Sequence, residues 1–169
     1  MGTSSKFVVA IHILTMIAGR QKIEGRPFPV KSAFLSYSVN TNAVVIRRLL
    51  GKLRAAGLVD SSNGPNGGTW LARNAAEITL KDVYEAVEEG ELFRLHPSQP
   101  PEDCMVGCNI QEVLRTYLDD AEKQLKAALS QTTVEQIMEV TMEKAGINDM
   151  MQVREAINEK MASILGNQS

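Results

Sequence analysis

Four cations, Arg47, Arg48, Lys52 and Arg54, fall within one short stretch of the chain, and just ahead of them stand Asn40, Thr41, Asn42 and Val44. These side chains suit a nucleic-acid surface. Asparagine can pair with an adenine edge, a valine methyl can touch thymine, and arginine can grip guanine or phosphate. The second group with chemical potential is Cys104 and Cys108, the only two cysteines of the chain. Four residues apart on a helix, their Cβ atoms would lie about 6 Å from one another. A disulfide needs roughly 3.5–4.5 Å, so a bond between them requires the turn around Gly107 to unwind. If Cys104 stands at a helix N-terminus, the helix dipole favours its thiolate, while Glu102 and Asp103 oppose it. The competing reading is that both thiols are small apolar side chains packing a helix start. His96 adds one more soft ligand at irregular spacing, so neither an iron–sulfur cluster nor another cofactor or metal is expected. The other histidine, His12, has no ligand cluster around it and reads as a partly buried helix residue.

Composition narrows the classes that remain. The 169 residues are 44% hydrophobic and 22% charged, with a net charge of −2, as in an ordinary globular protein. The total hides a division. Residues 1–81 carry 11 basic and 3 acidic side chains, a net +8, whereas residues 82–169 carry 7 and 17, a net −10. A basic first half suits a polyanion such as double-stranded DNA, and an acidic second half should face away from it. No apolar run reaches the roughly 18 residues of a membrane span, and Arg20 and Lys22 stand where a signal peptide would be cleaved. These features predict a cytoplasmic protein without a membrane partner. Neither a glycine-rich phosphate loop with its lysine nor a nucleophile elbow occurs, which argues against an enzyme.

Hydrophobic spacing places the elements that must hold these residues. Phe7, Ile11, Leu14 and Ala18 predict a first helix over about Ser4–Ala18, stopped at Gly19. Lys31–Tyr37 can form two helical turns, and a longer helix runs from an N-cap at Asn42 to Ala56, with Gly57 closing it. Helix, tight turn, helix is the helix-turn-helix pattern. Ile46, Leu49, Leu50 and Leu53 form its buried stripe, leaving Val44, Arg47, Arg48, Gly51 and Lys52 outward. Leu58–Ser61 and Thr69–Ala72 then flank a turn-rich segment and predict a hairpin, which in this position is a wing. Thr79, with Asp82 three residues on, caps another helix that Gly90 stops. Three prolines in 97–103 mark a linker. Beyond it, Ile110, Val113, Leu114, Tyr117, Leu118, Ala121, Leu125 and Ala128 keep an apolar stripe along a helix too long to be covered by a small winged domain, which predicts a dimer interface. Thr132–Glu135 resembles a capping box, and Met150–Leu165 suggests a last, methionine-rich helix. The expected fold is mainly α with a small β-hairpin wing, divided as 1–90 winged domain, 91–103 linker, 104–130 dimerisation helix and 131–169 C-terminal helices.

Taken in order, these segments resemble the Rrf2 family of bacterial winged-helix regulators, the group that includes IscR, NsrR and CymR. The resemblance is carried by VNTNAVVIRRLL at 39–50, LRAAGLV at 53–59, GPNGG at 64–68 with Leu71–Arg73, and ITLKDVYEAVE at 78–88 with Leu92–Phe93, and it spans about Ser4–Leu129. It implies a homodimer joined through the long helix and bound to a pseudo-palindromic operator, often as a repressor, with iron–sulfur, nitric oxide, metabolic or redox signals as inputs. There are two departures. Cluster-binding members resemble one another in having three cysteines between the wing and the long helix, where this chain has two. Many relatives carry a basic residue just before the first wing glycine, where this chain has Asn63.

Lys31, Asn63 and Asn66 complete the expected DNA-contact set with Asn40, Thr41, Asn42, Val44, Arg47, Arg48 and Lys52. The uncharged wing is expected to reach phosphate or bridging water at most. Three functions stay open at this point: a DNA-binding regulator, an interaction module with a degenerate helix-turn-helix, and a thiol or cluster sensor whose output is DNA binding.

Overall fold

The computed structural model describes residues 3–93, 95, 104–147 and 150–166. Its first helix, α1 (Thr3–Glu24), buries Ala10, Ile13, Leu14 and Ile17 completely. The helix does not stop at Gly19, as the sequence suggests, but runs on to Glu24. Gly19 is buried, and a Cβ built on it would stand 3.3 Å from Met142 Cε, so its small size serves close packing between helices rather than termination. Arg20 and Glu24 then form an i,i+4 ion pair at 2.8 Å, and the left-handed Gly25 (φ 65°) ends the helix.

The helix-turn-helix follows as α2 (Ser32–Val39) and α3 (Ala43–Ala55). Three local devices set the turn. Asn40 adopts the left-handed conformation (φ 51°), and the backbone N–H of Thr41 donates to the Ser36 carbonyl at 3.1 Å. Asn42 Oδ1 then accepts from the Val44 N–H at 2.8 Å, capping α3. Ile46, Leu49 and Leu53 are the buried face of α3, while Leu50 is half-buried. Gly57 (φ 67°) closes the helix.

The wing is an antiparallel hairpin of β1 (Val59–Ser62) and β2 (Gly68–Leu71), each strand one residue displaced from the expected bounds, with Val59 opposite Leu71. Val30 joins it through two backbone hydrogen bonds with Thr69, of 2.8 and 2.9 Å. Gly68 has no room for a side chain, because a Cβ would come within 2.8 Å of Pro29 backbone carbon. After a single 3-10 turn at Ala75–Glu77, α4 (Leu80–Val87) opens on the expected capping box of Thr79 and Asp82.

Helix α5 (Met105–Leu129) is the long helix, and none of its residues is fully buried. The chain then returns. Val134 N–H donates to the Ile78 carbonyl and Leu80 N–H to the Thr132 carbonyl, both at 2.9 Å, which pins the start of α6 (Val134–Lys144) beside the start of α4. The capping partner of Thr133 is Gln136. Val134 and Met138 enter the same core as α1, α3 and α4, so α6 belongs to the winged unit rather than to a separate C-terminal one. The last helix, α7 (Met150–Gly166), packs on α1 and α2. Among the described residues no helix is long and apolar enough to cross a membrane.

Candidate nucleic-acid interface

Burying Ile46, Leu49 and Leu53 leaves one face of α3 to solvent. There Val44 is 63% exposed, and Arg47 and Arg48 are exposed without an ion-pair partner among the described residues. Arg47, Gly51 and Arg54 line one wall of an open cleft of about 420 Å³, and Ser61–Gly64, Gly67 and Gly68 of the wing line the other. Arg54, one of the four cations grouped in the sequence though outside the expected contact set, joins this face. Its spacing from Arg47 and Gly51 could have placed it on this face, since seven residues are two helical turns. Asp60 of β1 lies 3.5 Å from its Nε and holds it toward the wing.

The other expected contact residues divide by how they are already engaged. Asn40 and Asn42 are exposed, but Asn42 spends its carbonyl oxygen on the cap, so its NH2 is the part left to face a partner. Thr41 is half-buried, and its carbonyl accepts a hydrogen bond from Ser36 Oγ. Lys31 reaches across to the wing turn, donating to the carbonyls of Gly64 (3.3 Å) and Pro65, so its charge sits at the wing that lacks a cation of its own. Asn63 and Asn66 stand exposed at the wing tip. Lys52 is employed differently from the expectation. Its Nζ donates to the Val87 carbonyl and pairs with Glu89, both at 2.9 Å, tying α3 to the end of α4. That pairing holds the Glu89 carboxyl below the ordinary carboxylate range.

A family model described as an iron-dependent transcriptional regulator, Rrf2, matches residues 3–140. The chain belongs to the Rrf2 family. It is a DNA-binding transcriptional regulator with a winged helix-turn-helix, of which α3 is the second helix. YwnA of Bacillus subtilis (strain 168), named an HTH-type transcriptional regulator, is 33% identical over 80% of this chain and 96% of its own length. Among solved structures, T. potens IscR superposes with a TM-score of 0.60 at 20% identity, covering 90% of this chain and 94% of that one. CymR, the global cysteine regulator of B. subtilis, gives 0.56 at 22% identity, covering 83% and 98%. At these identities the two structures support the Rrf2 fold.

The thiols of this Rrf2 chain lie at the root of α5. Cys104 is its N-cap, with Sγ accepting from the Gly107 N–H at 3.3 Å, and Cys108 begins the next turn. Both are exposed, so packing the helix start is not what they do within one chain. Iron–sulfur clusters are held by four ligands, usually thiolates. The chain offers two thiols one turn apart, one of them engaged as a cap, and among the described residues no group of three or more metal-ligating side chains gathers. His96 lies outside the described residues, as does most of the expected 91–103 linker.

The apolar stripe of α5 divides in two. Ile110, Leu118 and Leu125 are half-buried, and Leu118 lines a small pocket together with Phe93 and Leu95, which follow α4. Lys126 and Glu122 pair at 2.8 Å on this side, near Tyr84, whose hydroxyl burial and the neighbouring Glu122 and Glu88 push above its usual range. Val113, Leu114 and Tyr117 are respectively 50%, 41% and 71% exposed, and Ala121 and Ala128 are exposed beside them. Met105 and Val106 extend that outward face to the thiols.

Proposed function

We propose that this regulator acts as a homodimeric repressor, joined through the outward face of α5, whose DNA affinity responds to oxidation or alkylation of Cys104 and Cys108. The observation that carries the DNA-binding part is the pair of exposed, unpaired arginines, Arg47 and Arg48, on a recognition helix flanked by a wing. Two copies related by a two-fold axis would present two such helices to successive major grooves, roughly 34–36 Å apart. The basic half of the chain then faces the phosphates, and the acidic second half lies away from them.

The thiols sit where a small change has leverage. Cys104 caps α5, so converting its sulfur to a sulfenic acid or an alkylated product enlarges the group that accepts from the Gly107 N–H and alters the geometry of the cap. Loosening the first turn of α5 shifts the dimer helix at its root and, with it, the separation of the two recognition helices. The proposed polarity is loss of operator binding on oxidation.

Selection of DNA from a random pool by wild-type protein, with and without peroxide, tests the whole reading. Reduced protein is expected to enrich a pseudo-palindrome and oxidised protein to enrich it less. Failure to enrich any sequence in the reduced state would overturn the DNA-binding part. Equal enrichment with Cys104 verified as oxidised by mass spectrometry would overturn the thiol part alone.

A further inference from the structure

On the side of α1 remote from the wing lies a cavity of about 200 Å³ between α1, α6 and α7, with Phe34 of α2 at its edge. Its lining is mostly apolar, with Met16, Phe34, Met142 and Ile157 among the walls, but His12, Thr15, Arg20 and Thr141 break the pattern. Arg20 is 4% exposed. Its Nη2 pairs with Glu24 at 2.8 Å and donates to Asn158 Oδ1 of α7. Its Nε and Nη1 are buried with no hydrogen-bond partner among the described residues, and so is Thr15 Oγ1. One face of the guanidinium lies 4.5 Å from the Phe28 ring centre, which positions it without satisfying those donors.

The local charge is not neutral. Glu24 gives its second oxygen to Arg154 of α7 at 2.8 Å, so two guanidinium groups share one carboxylate. Burial pulls Arg20 below the usual guanidinium range, Glu24 opposing and Arg154 adding to the effect. A buried cation with unmet donors is costly unless an acceptor reaches it.

We propose that this cavity binds a compact organic anion, a carboxylate on an aromatic or short aliphatic body, with the carboxylate accepting from Arg20 and the body lying against the methionines. The size fits, since an apolar void of about 150 Å³ already holds a benzene-sized guest. The lining argues for an organic body over a bare inorganic ion, and the excess positive charge argues for an anion over a neutral aromatic. Helix α7 lies beyond residues 3–140 matched by the family model, so the site joins a family helix to a segment the family model does not include.

The same site has a route to the recognition helix. Phe34 lines the cavity and belongs to α2, and Lys160 of α7 lies 5.0 Å from the centre of the α2 Tyr37 ring. A ligand that fixes α7 against α1 and α2 therefore biases the helix pair that presents Arg47. This coupling rests on the DNA-binding reading; the binding itself does not.

The test is titration calorimetry and thermal melting of the full chain without DNA, using benzoate, hexanoate, benzamide and chloride. Benzoate or hexanoate is expected to bind saturably and raise the melting temperature. Benzamide, isosteric but neutral, is expected to bind at least tenfold more weakly, about what one charged hydrogen bond is worth. Arg20→Gln should erase the preference for the anion. Because Arg20 is buried and that variant can fail to fold, Ile157→Trp, which fills the cavity from α7, provides a second arm and should abolish binding. The proposal is overturned if neither carboxylate binds up to about 10 mM, if benzamide or chloride matches benzoate, or if a folded Ile157→Trp binds as wild type does. A ligand that binds but leaves operator affinity unchanged overturns the coupling to α2.

Discussion

Helices α3 and α5 are both amphipathic, and the chain treats them in opposite ways. Helix α3, with 13 residues, buries Ile46, Leu49 and Leu53 against the rest of the chain, whereas α5, with 25, buries none. The apolar side of α3 is satisfied at home, so what remains outward is cationic and available to a polyanion. The apolar side of α5 is only half satisfied, so what remains outward is Val113, Leu114 and Tyr117, which water does not favour and a second copy would cover. The same residue classes present different surfaces because packing decides which face is left over.

Several substitutions would break this contrast. The largest effect is expected for Leu53→Ala in α3, about 2–5 kcal/mol of folding stability by urea denaturation, because a fully buried leucine leaves a cavity. Tyr117→Glu or Val113→Asp in α5 should leave the fold intact and yield monomers by sedimentation at micromolar concentration, with operator affinity falling as a consequence. Leu118 and Leu125 are poorer sites for that experiment, since their half-burial against the α4 side mixes folding with association. A wild-type protein already monomeric under these conditions would remove the α5 side of the comparison.

Smaller effects sharpen it. Arg47→Ala and Arg48→Ala should each cost roughly 1–3 kcal/mol of operator binding where they hold a base, or reduce the salt slope by about one where they hold a phosphate. Cys104→Ser should retain operator affinity and lose its dependence on peroxide, as gel shifts at matched protein concentration will show. Lys52→Ala should leave the salt slope unchanged and lower the melting temperature slightly, because Lys52 is tied to Val87 and Glu89. The Glu89 carboxyl is held below its ordinary range, so that tie is complete above the unfolded-state value and fades as pH falls through the folded one. A melting-temperature difference between wild type and Lys52→Ala that grows with acidity would contradict it. Asn63→Ala, with no charge to lose, should change least.

The helix-turn-helix and wing were legible because their signals are local. Asn42 as a cap, the 46–49–53 stripe, the left-handed glycine at 57 and the turn residues at 63–67 each act over a few residues, and each appears in place. Gly19 was misread for the complementary reason. A glycine after a helical stripe is a stop by local rules, but Met142 of α6 approaches it from more than 120 residues away, and close packing is why the position is small.

The sequence by itself determined the element order, the helix-turn-helix, the division of charge between the two halves and the placing of two thiols at the root of a long helix. These follow from periodicity, capping and composition, which are read along the chain. Only the tertiary structure decided that Lys52 is tied to α4, that Arg54 faces the wing cleft, that α6 completes the winged core, and that the α5 stripe has an inward and an outward half. It alone also buried Arg20 with two donors unmet beside a cavity. The reason is physical: burial and pairing belong to residues brought together from distant parts of the chain, and a side chain's remaining freedom to meet a partner is what those contacts leave behind.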